Sequence, residues 1–390
     1  MKRAFLLLPG LMLPLAAQNG NAELDRLLRG AVEQKRVPGV VAMVAAGNGI
    51  TYQGAFGFDR DAIFDIASMT KAITSVAVMQ LVEAGRVKLD EPASTYLPAL
   101  AKTQVLEGGK LRPPRRAITV RHLLTHTAGF SYEFMHRDLS QYVQAGKAPS
   151  IMSGGDGFLS APLVADPGAT WEYGINTDWL GKLVEEVSGQ TLEAYFRQKI
   201  FEPLGMPDTH YNVPKEKQSR IAAIYLRAED GTLTPRPSQP VAMLEHFPGG
   251  MGLRSTAADY LKFTRALLAG GELGGRRILK AATVDMMGKN QIGNLALRPF
   301  TSLAPQFARD KAEVPGGLDK FGLGFAINSR AAGKRGAGTM AWAGIYNTFF
   351  WIDRQNKVCA VLMTQMSPGM DEGPRSLLMD FERAVYEGLR

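Results

Sequence analysis

The sequence predicts an α/β fold of the α+β kind, in which one antiparallel sheet is flanked by helices and interrupted by a mostly helical insertion. Three observations predict it. Strand-like runs lie near both ends of the chain, at 40–58 and again at 321–364. The segment 68–83 has the length of a helix but is apolar nearly all round, through Ile73, Val76, Val78, Met79, Leu81 and Val82, so it belongs inside a domain. Between 92 and 248 helical segments alternate with Pro- and Gly-rich connections. Strands so far apart complete one sheet only if the chain returns to its start. The result would be one domain over 23–390, with 23–91 and 249–390 as its α/β part and 92–248 as its helical part. A cleft between two such parts is where ligand sites form.

Each element follows from its own pattern. Leu24, Leu27, Leu28, Ala31 and Val32 fall at helical spacing, and Pro38-Gly39 ends that helix. Two β-rich runs follow, 40–46 and 50–58. Asn48-Gly49 between them predicts a type I′ hairpin, whose two turn positions both need positive φ. Gly85 closes the buried helix. Helical spacing recurs at 120–125, 177–187, 192–200 (with Thr191 as N-cap) and 257–268. Strands are expected at 321–328, 338–342, 348–352 and 358–364, with a turn at 353–356. A last helix aligns Leu377, Leu378, Phe381, Val385 and Leu389.

Composition narrows the function. The chain has 390 residues, 45% of them hydrophobic and 21% charged, enough to bury a core without metals or disulfides. Its one cysteine, Cys359, sits in an apolar run and reads as a buried inert thiol. A net charge of +8 is spread without a basic block. The densest stretch, Lys110, Arg112, Arg115, Arg116 and Arg121, reads as a solvated loop, and no nucleic-acid motif accompanies it. Lys2 and Arg3, the apolar run 4–15 and the small residues after it read as a signal peptide over 1–22, cut after Ala17 or Ala22. A periplasmic or secreted protein is therefore expected. No membrane anchor is expected either, since the run is too short to span and no cysteine follows it.

Three segments can carry chemistry. In Ser68-Met69-Thr70-Lys71 the serine opens the buried helix and the lysine stands one turn on, facing the same side. A serine hydroxyl needs a neighbouring base to become a nucleophile, and a lysine of lowered pKa can be that base. The helix N-terminus favours negative charge there. Tyr173 lies in the turn-rich stretch between Asp166-Pro167-Gly168 and a helix, and near a lysine it can exchange protons. In Trp342-Ala343-Gly344-Ile345 a strand glycine permits close approach of a ligand or backbone. His122 and His126 are spaced as zinc ligands are on a helix, but no glutamate of an H-E-x-x-H motif and no third ligand accompany them, so no metal and no cofactor is expected. No G-x-S-x-G is present, which argues against an α/β-hydrolase nucleophile.

These segments, in this order, resemble the class C β-lactamases and their esterase relatives, the family VIII carboxylesterases. The stretches 118–129, 201–206 and 250–256 share the resemblance, which covers nearly all of the chain after residue 22. It implies a β-lactamase/transpeptidase-like fold. It also implies that Ser68 is acylated, that Lys71 and Tyr173 exchange its proton, and that the backbone N–H groups of Ser68 and Ile345 form an oxyanion hole. Trp342, Ala343, Gly344 and Asn176 would line the substrate site. Two departures matter. The Tyr-x-Asn of those β-lactamases becomes Tyr173 with Asn176 three residues on, and Lys-Thr-Gly becomes Trp342-Ala343-Gly344. Without the strand cation a substrate carboxylate loses a charge-assisted contact of about 1.5–3 kcal/mol. The expected activity is therefore hydrolysis of uncharged, short to moderate acyl esters through an acyl-serine. β-Lactam or D-amino-peptide hydrolysis at the same site, and a non-catalytic penicillin-binding-type sensor, are the alternatives.

Overall fold

The computed structural model describes residues 21–237, 243–310 and 317–389. Residues 1–20 of the expected signal segment lie outside them. In chain order the elements that position the site are α1 (Ala22–Glu33), β1 (Val40–Ala46), β2 (Gly49–Phe56), α2 (Thr70–Glu83), α3 (Val120–Leu124), α4 (Asn176–Ser188) and α5 (Ala257–Leu268). Five strands follow, β3 (Lys320–Phe321), β4 (Ala326–Ile327), β5 (Met340–Gly344), β6 (Thr348–Asp353) and β7 (Val358–Met363), and then α6 (Glu372–Glu387).

Side chains on β1 and β7 alternate between two cores, as the period of a strand requires. Val40, Ala42 and Val44 share one core with Val358, Ala360 and Leu362. Val41, Met43 and Ala45 share the other with Cys359, Val361 and Met363. All twelve are buried, which is why both strands read as unbroken apolar runs. Each fully buried Val, Leu or Met side chain among them stabilises the fold by about 1.5–3 kcal/mol, and each alanine by less. The strands run in the order β3-β4-β5-β6-β7-β1-β2, all neighbours antiparallel. β1, near the start of the chain, pairs with β7 near its end, Val41 opposite Met363.

Helices α1 and α6 pack together and cover one face, sharing its core through Leu24, Leu28, Leu377 and Phe381. α5 lies on the other face against β1, β6 and β7. α2 shares that second core and packs against α4 and the helix Leu192–Phe196. Its residues from Thr70 to Met79 are all buried, which accounts for a helix with no polar face. Cys359 is buried there too, and burial pushes its thiol up to about 12, so it is inert at neutral pH.

Four expectations are corrected. The β1–β2 hairpin turns at Gly47-Asn48, because Ala46 pairs with Gly49. Gly47 (φ 58) takes the positive-φ position while Asn48 does not, the pattern of a type II′ turn and not of type I′. The expected strand 321–328 is two short strands, β3 and β4, folded back on each other. The glycines between them make the turn. Gly324 (φ 90) lies so close to α2 that a Cβ would come within 2.1 Å of the Ser75 hydroxyl. The basic stretch is loop only at Arg115 and Arg116: Lys110–Arg112 forms a small hairpin with Val105–Glu107, where Arg112 pairs with Glu107 at 2.7 Å and Asp166 at 2.9 Å, and Arg121 lies in α3. Finally, helices at Arg137–Gln144 and Ala281–Met287 were not anticipated. Among the described residues no helix is long and apolar enough to cross a membrane.

Candidate active site

Ser68 is presented by a short strand and a strained turn. Phe64–Asp65 pairs with Arg254–Ser255, and Asp65 holds the Arg254 guanidinium at 2.8 Å. The chain then turns at Ala67, whose φ of 44° is left-handed although it is not a glycine. Such a conformation costs about 1–3 kcal/mol and persists only where the surroundings enforce it. A 3₁₀ turn, Ala67–Met69, leads into α2. Ser68 stays partly exposed on this turn, and Lys71 follows on the same side, 2% exposed.

The Lys71 ammonium uses all three of its donors. Nζ is 3.1 Å from Ser68 Oγ, 2.9 Å from Tyr132 Oη and 2.8 Å from the Gly250 carbonyl oxygen. It also lies 4.9 Å from the centre of the Tyr173 ring. The carbonyl can only accept. Both hydroxyls can donate as well, so a neutral amine here could accept the Ser68 proton without any atom moving. The arrangement supplies what serine activation needs.

Two tyrosines meet Lys71. Their rings are edge-on at 5.4 Å. Burial holds the Tyr132 phenol well above its ordinary range, and the neighbouring Tyr173 and Asp178 add to the shift. The Tyr173 ring packs among Trp171 (6.2 Å), Trp342 (5.1 Å) and Phe300 (5.5 Å), and Phe134 stacks on Tyr132 at 5.0 Å. One side of the site is thus an aromatic wall. His126 packs under Tyr173 at 5.0 Å, and burial, then the Lys71 charge, hold its imidazole well below its usual value, so it is neutral.

The predicted substrate residues divide. Trp342 joins the aromatic wall but is only 9% exposed, so little of its ring is open to a substrate. Ala343 is partly exposed beside it. Gly344 is buried, where a Cβ would lie 2.4 Å from the Ile66 carbonyl oxygen, so its role is to let β5 approach the Ser68 turn. Ile345, partly exposed, follows directly, which brings its backbone to the Ser68 side of the site. Asn176 does not face the cleft. It is fully buried, and its amide reaches His126 Nδ1 (3.0 Å), the Glu172 carbonyl (3.2 Å) and the Phe130 carbonyl (3.3 Å). It ties the Tyr173 segment to the segment leading to Tyr132. Tyr132, Phe300 and Asp178 were missed by sequence reasoning. Nothing local marks the first two, which come from irregular segments. Asp178 sits in a buried stretch of α4 five residues past Tyr173, and a charge there is the signal that was overlooked. His122 and His126 make no pair for a metal, since His122 Nδ1 accepts from the Thr119 N–H and His126 Nδ1 meets Asn176.

A family model described as beta-lactamase matches residues 24–381. The chain belongs to the β-lactamase family. It is 33% identical over 403 residues to the monacolin J acid methylbutanoyltransferase of Aspergillus terreus, covering 93% of this chain and 95% of that protein. It is 31% identical over 325 residues to the lovastatin esterase of Penicillium rubens, covering 77% and 79%. Among solved structures, unliganded simvastatin synthase from Aspergillus terreus superposes with a TM-score of 0.82 at 31% identity, covering 94% of this chain and 98% of that one. The hydrolase EstCE1 shares the fold, with a TM-score of 0.73 at 23% identity over 94% and 98% of the two chains. The β-lactamase/transpeptidase-like fold expected from the sequence is the one observed, and the chain is a serine hydrolase of that fold, with esterases and acyltransferases as homologues.

Proposed function

We propose that this chain is an acyl-serine esterase acting on uncharged esters with short to moderate acyl groups. The observation that carries the reading is the buried Lys71, its Nζ held between Ser68 Oγ at 3.1 Å and Tyr132 Oη at 2.9 Å with the centre of the Tyr173 ring 4.9 Å away. Ser68 Oγ attacks the ester carbonyl carbon while its proton passes to the Lys71–tyrosine group. The oxyanion so formed lies against the backbone N–H groups of Ser68 and Ile345. Collapse breaks the ester C–O bond, and the departing alkoxide takes the proton and leaves as the alcohol. Water then repeats the sequence in reverse, releasing the acid and free Ser68.

A second reading replaces that water by an alcohol, so the acyl group is transferred. The wall of Phe134, Phe300, Tyr173 and Trp342 favours it, because an apolar acceptor packed there displaces the competing water. The relatives named as acyltransferases point the same way. Trp342, standing where β-lactamases carry a cation, speaks against anionic β-lactams. The N-terminal Lys2, Arg3 and apolar run support export. Cutting after Ala17 would leave Asn21, the cap of α1, in place, and N-terminal sequencing of the native protein checks this.

The test is turnover of p-nitrophenyl butyrate with and without an added alcohol, the acid and new ester being measured separately, beside a chromogenic cephalosporin. Wild type should favour the ester in kcat/KM, and Ser68→Ala should lose on the order of 10³-fold or more. Full activity in Ser68→Ala, fluorophosphonate labelling at another serine, or better turnover of the cephalosporin would each sink the reading.

A further inference from the structure

Lys71 is buried, and an ammonium out of water is costly unless an opposite charge lies near it. The groups around it do not supply one directly. Ser68, Tyr132 and the Gly250 carbonyl, its three hydrogen-bond partners, are neutral. Behind Gly250, however, stands Asp178, 2% exposed. Its Oδ1 accepts the Gly250 N–H at 2.9 Å. Its Oδ2 is buried without a hydrogen-bond partner. The carboxylate lies flat on Gly250, so that a Cβ there would come 2.5 Å from Oδ2 and 2.9 Å from Oδ1. The Thr74 hydroxyl donates to the Gly249 carbonyl at 2.6 Å and fixes the same peptide from α2. One glycine thus takes the lysine on its carbonyl and the aspartate on its N–H.

We propose that Asp178 is a positioning residue for this site, the buried counter-charge that acts through Gly250 to hold Lys71 protonated and fixed beside Ser68. The proposal rests on the acyl-serine reading for its functional meaning. The other titratable groups facing the pair are neutral or paired. Burial holds the Tyr132 and Tyr211 phenols well above, and the His126 imidazole well below, their ordinary values. Tyr173 offers the face of its ring, and Asp156 is bound by Lys182 at 2.7 Å. Burial raises the Asp178 carboxyl to about 6 even with the Lys71 charge and the Gly250 N–H drawing it down, so it is mostly ionised at neutral pH. Two opposite charges remain on either side of one glycine.

The experiment is Asp178→Asn, which keeps an oxygen for the Gly250 N–H and removes only the charge. The Lys71 side chain is titrated by ¹³C-lysine NMR in both proteins, with Lys71→Arg assigning the signal. Removing a negative charge here should move the Lys71 ¹³C transition to lower pH. The kcat/KM profile for p-nitrophenyl butyrate should move in the same sense, with the limb set by Lys71 displaced to lower pH. An acid limb moving down marks the neutral amine as the active form, and a basic limb moving down marks the ammonium. An unchanged Lys71 titration, or one shifted upward, overturns the proposal. If the variant does not fold, wild type alone decides. The Gly250 amide and the Lys71 side-chain signals should both inflect near pH 6 as Asp178 titrates, and two flat traces overturn the proposal equally. The NMR readout needs no turnover. A shifted titration in a protein whose Ser68→Ala variant keeps full esterase activity would therefore fault the esterase reading and leave the Asp178 assignment standing.

Discussion

Ser68 and Lys71 stand one turn apart at the head of a single helix, whereas Tyr132 and Tyr173 reach the same point from two irregular segments. The first pair is positioned by backbone geometry. Once α2 forms, the i, i+3 relation brings both side chains to one side, and the core around α2 does the rest. The second pair is positioned by polar contacts between loops. Asn176 bonds across to His126 and Phe130. Glu172 takes the Ser131 hydroxyl at 2.8 Å and Arg298 at 3.1 Å. Gly174 lies against Phe130 and Ser131, where a Cβ would come 2.4 Å from the Ser131 Cα. The difference teaches that the nucleophile side should tolerate changes around it better than the phenol side does.

That contrast can be broken by mutation. The largest effect is expected from the phenols themselves. Tyr173→Phe should lower kcat on the order of 10²–10³-fold, as loss of a general acid–base group does, and Tyr132→Phe by about tenfold. If the two act on Lys71 as one unit, the double variant should lose little more than Tyr173→Phe alone. Strictly multiplicative losses would show that they work apart. Next comes Asn176→Ala, which touches no substrate. Three buried groups lose their donor, so unfolding should become easier by about 1–3 kcal/mol. Because the loosened segment carries Tyr173, kcat should fall as well, while the rate of fluorophosphonate labelling at Ser68 should change less. Equal losses in both would erase the proposed distinction between the two sides. The smallest effect is expected at Phe300, which reaches the wall from outside. Phe300→Ala should raise KM several-fold for aryl and long-chain esters and leave acetyl esters nearly unchanged. A uniform change across the chain-length series would place Phe300 outside the acyl or acceptor pocket.

The same contrast explains what could be read from the sequence. α1, α5 and α6 were legible because each writes its burial as a period of 3.6, and α2, β1, β6 and β7 because burial on every side leaves them as continuous, mainly apolar runs. Ser68 and Lys71 inherited that legibility. Tyr173 was found through its motif and not through any period. Tyr132 and Phe300 carry no such signal, since they are brought to Lys71 and to Trp342 by chain that follows no repeat. Asn176 was misplaced for a related reason. A motif gives the residue type, but only the neighbours decide whether its amide turns to the cleft or, as here, to His126. The hairpin turn slipped by one residue because Gly47 and Gly49 both suit a turn, and the pairing of Ala46 with Gly49 chose between them.

The pairing of β1 with β7 has a consequence for how the chain is made. β1 and β2 leave the ribosome early as a two-stranded hairpin, and such a hairpin alone is marginal in water. The other edge of β1 is reserved for β7, so it stays open until everything from Ala46 to Val358 has been synthesised. Contacts of this span slow folding and leave an apolar strand edge available for wrong partners. If the chain is exported unfolded, that wait falls before the sheet can close. A shortened chain ending before β7 should therefore lack the central pairing of the sheet while retaining every residue of the Ser68 turn. In this molecule the Ser68 turn is written early, and the sheet behind it closes only when β7 arrives.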